Sequence, residues 1–286
     1  MKCGLVGAGI ALIGLSLGCS QPSTSPASVA PGTPVVVAPA TTQYLNGYVS
    51  DTAFRPMADV SVEVLNGPDR GKLLTSDATG RFSYTGFLTS EVSMRATKDG
   101  YVTRTSSVVT GTSVDQAWVF FRLTPATPPV QAAGNFTLAI SVDSACAGFP
   151  DEVRNRSWPV LLTKRNTDTL PADTQFDGRV GGGQFAPNAN FFWVGVAGDY
   201  LAVSTEGEGP SIVEQVGPKS YIAYSGNAGA VIPSGGPAMI SAPFKGLIEY
   251  CELKSTLGQY YDCSDALAAV RVQCTSEGSR LSLTPR

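Results

Sequence analysis

The chain has 286 residues, 43% hydrophobic and 15% charged, with 31 glycines and 20 prolines, a mix that suits many short strands and turns better than long helices. Its net charge of −3 comes with no Lys/Arg cluster, so nucleic acid is not an expected partner. It has no histidine, which excludes Ser-His-Asp and Cys-His catalysis and imidazole-ligated zinc.

At the amino terminus Lys2 supplies a positive charge, Gly4 to Leu17 form an apolar run too short to span a bilayer, and Gly18-Cys19 follows. This arrangement resembles a bacterial lipoprotein signal peptide covering residues 1–18, with lipid added to the thiol of Cys19. Ser16 stands where such signals usually carry leucine. The alternative is an ordinary secretory signal cut after Ala27 or Ala30. The resemblance implies an exported lipoprotein of the cell envelope. Ser20, rather than aspartate, after the cysteine favours the outer membrane. Membrane attachment would be firm, because each buried CH₂ contributes about 0.8 kcal/mol. Residues 19–42 are rich in Pro, Ser, Thr and Ala; they lack the patterning of a core and read as a disordered tether.

Residues 43–125 read as a small β domain. Strands are expected at Tyr44–Ser50, Val60–Val64, Lys72–Ser76, Gly80–Tyr84, Val92–Thr97, Val102–Val109 and Ala117–Leu123. Val60, Val62 and Val64 alternate with Ser61 and Glu63, which sets an inner and an outer face. Asp77 and Gly80 suit the turn inside Thr75–Gly86: aspartate bonds its own backbone and glycine accepts positive φ. Asp51, Asp77 and Asp99 all sit at strand ends and read as turn residues rather than calcium ligands. Gly47-Tyr48-Val49, Pro56 to Val60, Thr75-Ser76-Asp77, Gly80-Arg81-Phe82 and Gly100-Tyr101 occur in order. Together they resemble the carboxypeptidase regulatory-like domain, a seven-stranded transthyretin-like sandwich. The resemblance implies a spacer or accessory module with a carbohydrate-binding-like fold.

Residues 126–133, ATPPVQAA, read as a linker. Residues 134–286 read as a larger antiparallel β-barrel-like domain, preferably of up-and-down order, with turn signals every 8–12 residues. Its strands are expected at Phe136–Val142, Trp158–Lys164, Phe176–Arg179, Gln184–Ala186, Asn190–Val196, Tyr200–Thr205, Ile212–Val216, Tyr221–Ala228, Ala238–Glu252 and Ala268–Leu283, with a helical turn after Pro150. Cys146 with FPDEVRNRSW behind it, IVEQVG at 212–217, FKGLIEYC at 244–251 and the closing CTSEGSRLSLTPR resemble an uncharacterised all-β domain of secreted bacterial proteins. A histidine expected before its final strand is absent.

Cys146, Cys251, Cys263 and Cys274 follow the signal, an even number that implies two disulfides in an exported chain. Cys146 is expected to pair with Cys251 or Cys274, and Cys263 with the other. No CxxC spacing supports a metal, and neither metal nor cofactor is expected. Trp193 and Phe192, with Trp158 and Tyr260, are candidate ligand-stacking residues. The competing reading is core, with Phe191 and Trp193 inward and Phe192 outward.

These features point to a non-enzymatic envelope lipoprotein acting as a surface binding or accessory module, with carbohydrate the first expected ligand. A structural or partner-binding subunit of an envelope complex is the second reading. A polysaccharide hydrolase with paired carboxylates is the third, its candidates being Asp151, Glu152, Asp199, Glu206, Glu208, Glu214, Glu249 and Glu252.

Overall fold

A computed structural model describes residues 42–286 apart from 88–90, 110–115, 166–169, 172, 207–211, 234, 236, 256–262 and 264–266. The signal segment, Cys19, nearly all of the tether, Glu208 and Tyr260 lie outside the described residues. The fold is all-β.

The first module contains β1 (Thr42–Asp51), β2 (Ser61–Val64), β3 (Leu73–Thr75), β4 (Arg81–Phe87), β5 (Glu91–Thr97), β6 (Arg104–Val109) and β7 (Gln116–Leu123). One sheet has the order β4-β1-β7 and the other β3-β2-β5-β6. β1 pairs antiparallel with β4 but parallel with β7. The alternating sequence decides the packing. Leu45, Val49, Phe82, Tyr84, Val119 and Phe121 meet Val62, Val64, Val92 and Met94 in one buried core between the sheets. Gly47 is needed there, because a Cβ on it would stand 2.0 Å from the Phe82 ring.

The turn after β3 forms, but it is not the hairpin expected of Lys72–Ser76 and Gly80–Tyr84: β3 pairs with β2 and β4 with β1, so the turn carries the chain from one sheet to the other. The Asp77 carboxylate accepts hydrogen bonds from the Thr79 hydroxyl (2.7 Å), the Thr79 amide (2.8 Å) and the Arg81 amide (2.9 Å), and Gly80 takes φ 76°. The Thr79 hydroxyl first, then the Arg81 amide, hold the Asp77 carboxyl below its ordinary value. A carboxyl depressed by folding adds stability above its unfolded pKa of about 3.9. That stability is lost as pH falls through the lower folded value. Asp77→Ala is therefore expected to be destabilising at neutral pH, with the gap to wild type closing on acidification. Urea midpoints across an acid series check this; a gap independent of pH rejects it.

The second module contains β8 (Gly134–Ser141), a 3₁₀ turn at Asp151–Val153, β9 (Asn155–Lys164), β10 (Gln175–Val180), β11 (Gln184–Ala197), β12 (Tyr200–Ser204), β13 (Ile212–Gln215), β14 (Ser220–Val231), β15 (Ile240–Pro243), β16 (Lys245–Leu253), β17 (Ala268–Cys274) and β18 (Arg280–Pro285). They form one antiparallel 11-stranded sheet of order β15-β18-β8-β9-β10-β11-β12-β14-β16-β17, with β13 bridging β11 and β14. The sheet wraps around a single core that includes Phe136, Leu138, Trp158, Phe176, Phe192, Tyr224, Phe244 and Leu283.

The order departs from up-and-down. β8 to β12 run as a meander, but β15 crosses to the far edge and pairs β18, and β18 returns to β8. Two expected strands are each two. Ala238–Glu252 breaks at Phe244, which buries its ring in the core, next to Gly246 with φ 156°. Ala268–Leu283 breaks at the turn carrying Ser276 to Ser279, where the Ser276 hydroxyl donates to the Asp143 carboxylate. Conversely, Gln184–Ala197 is one strand, with a register shift between Phe185 and Asn190 and Asn188 at φ 59°.

The disulfides are Cys146–Cys274 and Cys251–Cys263. The second sits in a small cluster on the outside of the sheet, with Val213, Tyr221, Ala223 and Leu253.

Residues 40–286 form one compact unit. The modules meet where the loop after β1 lies on the outer face of β11 and β12. The Thr52 hydroxyl donates to the Val196 carbonyl at 2.5 Å, and the Gln175 amide donates to the Thr52 carbonyl at 2.5 Å. Asp51 is buried and fixes the loop by accepting from the Ala53 amide, the Arg55 amide and Arg55 Nε. Arg55 in turn lies 4.1 Å over the Tyr200 ring. The segment between the modules is docked: the Val130 amide donates to the Gly198 carbonyl at 3.0 Å, and Ala132 is fully buried.

Gly195 makes this approach possible. A Cβ there would stand 2.5 Å from the Thr52 carbonyl oxygen and 2.9 Å from the Ala53 Cα, both backbone. Gly195→Val is expected to cost about 1–3 kcal/mol by overpacking and to make the Asp51–Arg55 loop protease-sensitive. An unchanged melting temperature with an unchanged digestion pattern rejects this.

Candidate functional site

Strand β7 reads Gln116 to Leu123, and Ala117, Val119, Phe121 and Leu123 point into the core. The opposite parity leaves Trp118, Phe120 and Arg122 on the outer face. Trp118 is 46% exposed and Phe120 64% exposed, large values for aromatic side chains. Their rings lie nearly parallel, 13° apart, with centroids at 6.0 Å. In register beside them on β1 stand Asn46, Tyr48 and Ser50. Tyr44 is exposed on the same face, and β4 adds Arg81, Ser83 and Thr85. The result is an exposed aromatic and hydroxyl-rich sheet surface.

Two hollows flank it. One, of about 450 Å³, is bounded by Tyr44, Asn46, Asp77, Arg81 and Ser83. The other, of about 520 Å³, is bounded by Tyr48, Ser50, Arg104, Ser106, Phe120 and Arg122, with Leu170 from the second module at its margin. Burial, outweighing the opposing Arg81 charge and helped by Asp51, raises the Tyr48 phenol above its ordinary pKa. That group therefore stays a neutral hydroxyl donor.

A second aromatic patch lies across the junction. Phe191 and Trp193 are half-buried on the outer face of β11, edge to face at 5.6 Å. Arg165 sits 6.0 Å over the Trp193 ring and 3.8 Å from Asp177. Thr163, Asp177, Arg179, Asn188 and Phe191 bound a hollow of about 390 Å³ beside it. The two patches are joined by Phe54. Its backbone takes φ 64°, an uncommon conformation for a bulky residue. Its ring packs where a Cβ of Gly195 would be and lies under the Arg122 guanidinium at 5.0 Å.

The structure separates the residues expected to stack on a ligand. Trp193 lies on this outer surface. Phe192 is fully buried, its ring filling the space left by Gly178, where a Cβ would stand 2.3 Å from it. The parity of this stretch is thus the reverse of the expected core pattern: Phe192 is inside, and Phe191 and Trp193 are outside. Trp158 is 2% exposed and meets Tyr224 edge-on at 5.6 Å in the core. Tyr260 lies outside the described residues.

Several of the candidate acids are already engaged. Glu214 accepts from two guanidinium nitrogens of Arg156. Glu249 accepts from Arg271 and Gln273, Glu252 accepts from the Tyr250 hydroxyl, and Asp151 pairs with Arg154.

Trp118 and Phe120 escaped the reading of the sequence, although the signal was present. Arg122 shares their parity, and an arginine on that side of the strand places the side in solvent.

No family model and no curated protein matches the chain. Among solved structures, it is similar to the major pilin subunit of Bacillus cereus at 11% identity, covering 86% of this chain and 85% of that one with a TM-score of 0.26. It is also similar to a putative membrane-associated protein of unknown function from Bacteroides fragilis at 12% identity, covering 86% and 98% with a TM-score of 0.24.

Proposed function

We propose that this chain is a non-enzymatic, lipid-anchored protein of the cell envelope that binds carbohydrate on the outer face of its first module. The observation that carries the proposal is the exposed, nearly parallel Trp118–Phe120 pair on the outer face of β7, beside Tyr44, Tyr48 and Asn46. Pyranose rings present apolar C–H faces that suit such platforms, and the surrounding amides and hydroxyls suit sugar hydroxyls. Aromatic side chains spend little conformational entropy when they bind, so an exposed rigid pair is an efficient contact. The anchor is Cys19, and the residues between it and β1 are the tether.

A glycan and polysaccharide array probed with the full chain in detergent tests the binding. Trp118→Ala is expected to abolish the signal, with circular dichroism unchanged. If it is Trp193→Ala that removes binding while Trp118→Ala does not, the site belongs to the second module. Absence of binding to every glycan rejects the proposal and favours a protein partner. For the anchor, palmitate labelling in a bacterial host is expected for the natural chain and lost in Cys19→Ala; label retained in that variant rejects Cys19 as the lipid site.

A further inference from the structure

The hollow between the modules carries a concentration of positive charge that the chain as a whole does not, since the net charge is −3. Arg104 and Arg122 both line it. Arg165, reaching over from the second module, is close enough to act on Arg122 electrostatically. Among the described residues neither Arg104 nor Arg122 makes an ion pair with a carboxylate. Asp51 acts on Arg122 from nearby, but its two oxygens are already taken by the Ala53 amide, the Arg55 amide and Arg55 Nε. Arg165 reaches Asp177 only at 3.8 Å.

Like charges gathered in this way oppose one another. Burial, and then the repulsion from Arg165 and Arg104, lower the Arg122 guanidinium from its ordinary value. Guanidinium groups are planar forks suited to two-point contact with carboxylate or sulfate oxygens. An incoming anion would relieve the repulsion and find further donors in the Tyr48, Ser50 and Ser106 hydroxyls.

We propose that this hollow receives the acidic group of an anionic polysaccharide, a uronate carboxylate or a sulfate ester, on Arg122 and Arg104 while neighbouring sugar rings lie on Phe120 and Trp118. This assignment rests on the carbohydrate-binding reading above and names its ligand class. A polymer is favoured over a free anion because the hollow opens directly onto the exposed aromatic pair, with Phe120 belonging to both. Nucleic acid is disfavoured because the rest of the chain offers no basic track for a phosphate backbone.

The test is affinity electrophoresis and calorimetry of the full chain in detergent against three polymers: a polyuronate, a sulfated galactan and a neutral galactan. Inorganic sulfate alone is the fourth arm. At least one acidic polymer is expected to bind about tenfold or more tightly than the neutral one, as charge-assisted contacts allow, and to weaken as salt is raised. Whichever acidic arm binds identifies the group as carboxylate or sulfate. Arg104→Gln/Arg122→Gln should reduce acidic-polymer affinity to the neutral level and leave neutral-polymer affinity unchanged. Arg122→Lys, which keeps the charge and loses the fork, should fall between the two and guards against a folding defect.

Equal binding of acidic and neutral polymers, or acidic binding indifferent to the arginine changes, overturns this inference and leaves the carbohydrate reading in place. Binding of inorganic sulfate with no polymer bound overturns the polymer assignment. Binding in none of the arms overturns both.

Discussion

Replacing Cys146 and Cys274 together with serine is expected to lower the unfolding free energy by about 5 kcal/mol, the chain-entropy value for a loop of this length. The bridge spans 128 residues, from just after the first strand of the second module to the end of β17. Among the described residues β17 is an edge strand whose only ladder is with β16. The bridge ties this edge to the segment after β8, where Phe149 also meets Tyr250 at 6.4 Å and Asp143 bonds Ser276. The Cys251–Cys263 bridge spans only 12 residues, and its removal is expected to cost about 3 kcal/mol. Guanidinium denaturation of the two double variants should therefore rank them in that order. A Cys251→Ser/Cys263→Ser loss equal to or greater than that of Cys146→Ser/Cys274→Ser contradicts the argument. Either variant should aggregate or be degraded more readily in an oxidising compartment, since small losses of stability translate into large changes in the unfolded fraction.

Arg156→Met alone is expected to cost about 3–5 kcal/mol, because it strands the Glu214 charge in the core. The pair runs inside the second module from β9 to β13. Arg156 Nε donates to one Glu214 oxygen at 2.8 Å and a terminal nitrogen donates to the other at 2.5 Å. The glutamate side chain is 4% exposed and the arginine 29%. The hydrogen bond to Glu214 and the attraction of the two charges raise the arginine's affinity for its proton against the opposing effect of burial, so the guanidinium stays charged. A buried pair of this kind adds little compared with apolar residues of the same volume, but either half alone costs heavily. Arg156→Met/Glu214→Leu is accordingly expected to recover most of the loss. Urea titration of both singles and the double variant completes the cycle. A double variant as unstable as the sum of the singles would show that the two side chains act independently.

The elements of the first module could be read directly. Strict alternation in Val60–Val64 and Val92–Ala96 marks two inner faces, and those strands pair with each other, but the two short strands around Asp77 and Gly80, expected to pair as a hairpin, part instead to β2 and β1 in separate sheets. In the second module the same signal failed where both faces of a strand are apolar. Phe191, Phe192, Trp193 and Val194 give no polar residue to mark the outside. The inner side was set by what lies across the ladder. Gly178 sits opposite Phe192 and leaves room for one ring, while the loop from the first module covers Gly195 and Ala197 on the other face. Neither neighbour is close in sequence.

The candidate site shows the same division. Lipid and disulfide cysteines are properties of residue type and position, so the sequence alone carries those expectations. The outer face of β7 was also readable, because Arg122 shares the parity of Trp118 and Phe120. The parallel β1–β7 pairing that sets Asn46, Tyr48 and Ser50 beside them was not, since it joins residues about seventy positions apart.

By itself the sequence determined the all-β class, the strands of the first module and an even set of cysteines fit for two disulfides. These depend on a period of two residues and on side-chain chemistry, both local. Tertiary structure decided which cysteines meet, which face of β11 is inside, and that Arg104, Arg122 and Arg165 converge beside two aromatic patches. Such choices depend on volumes and charges brought together by long-range strand pairing, which local periodicity does not encode.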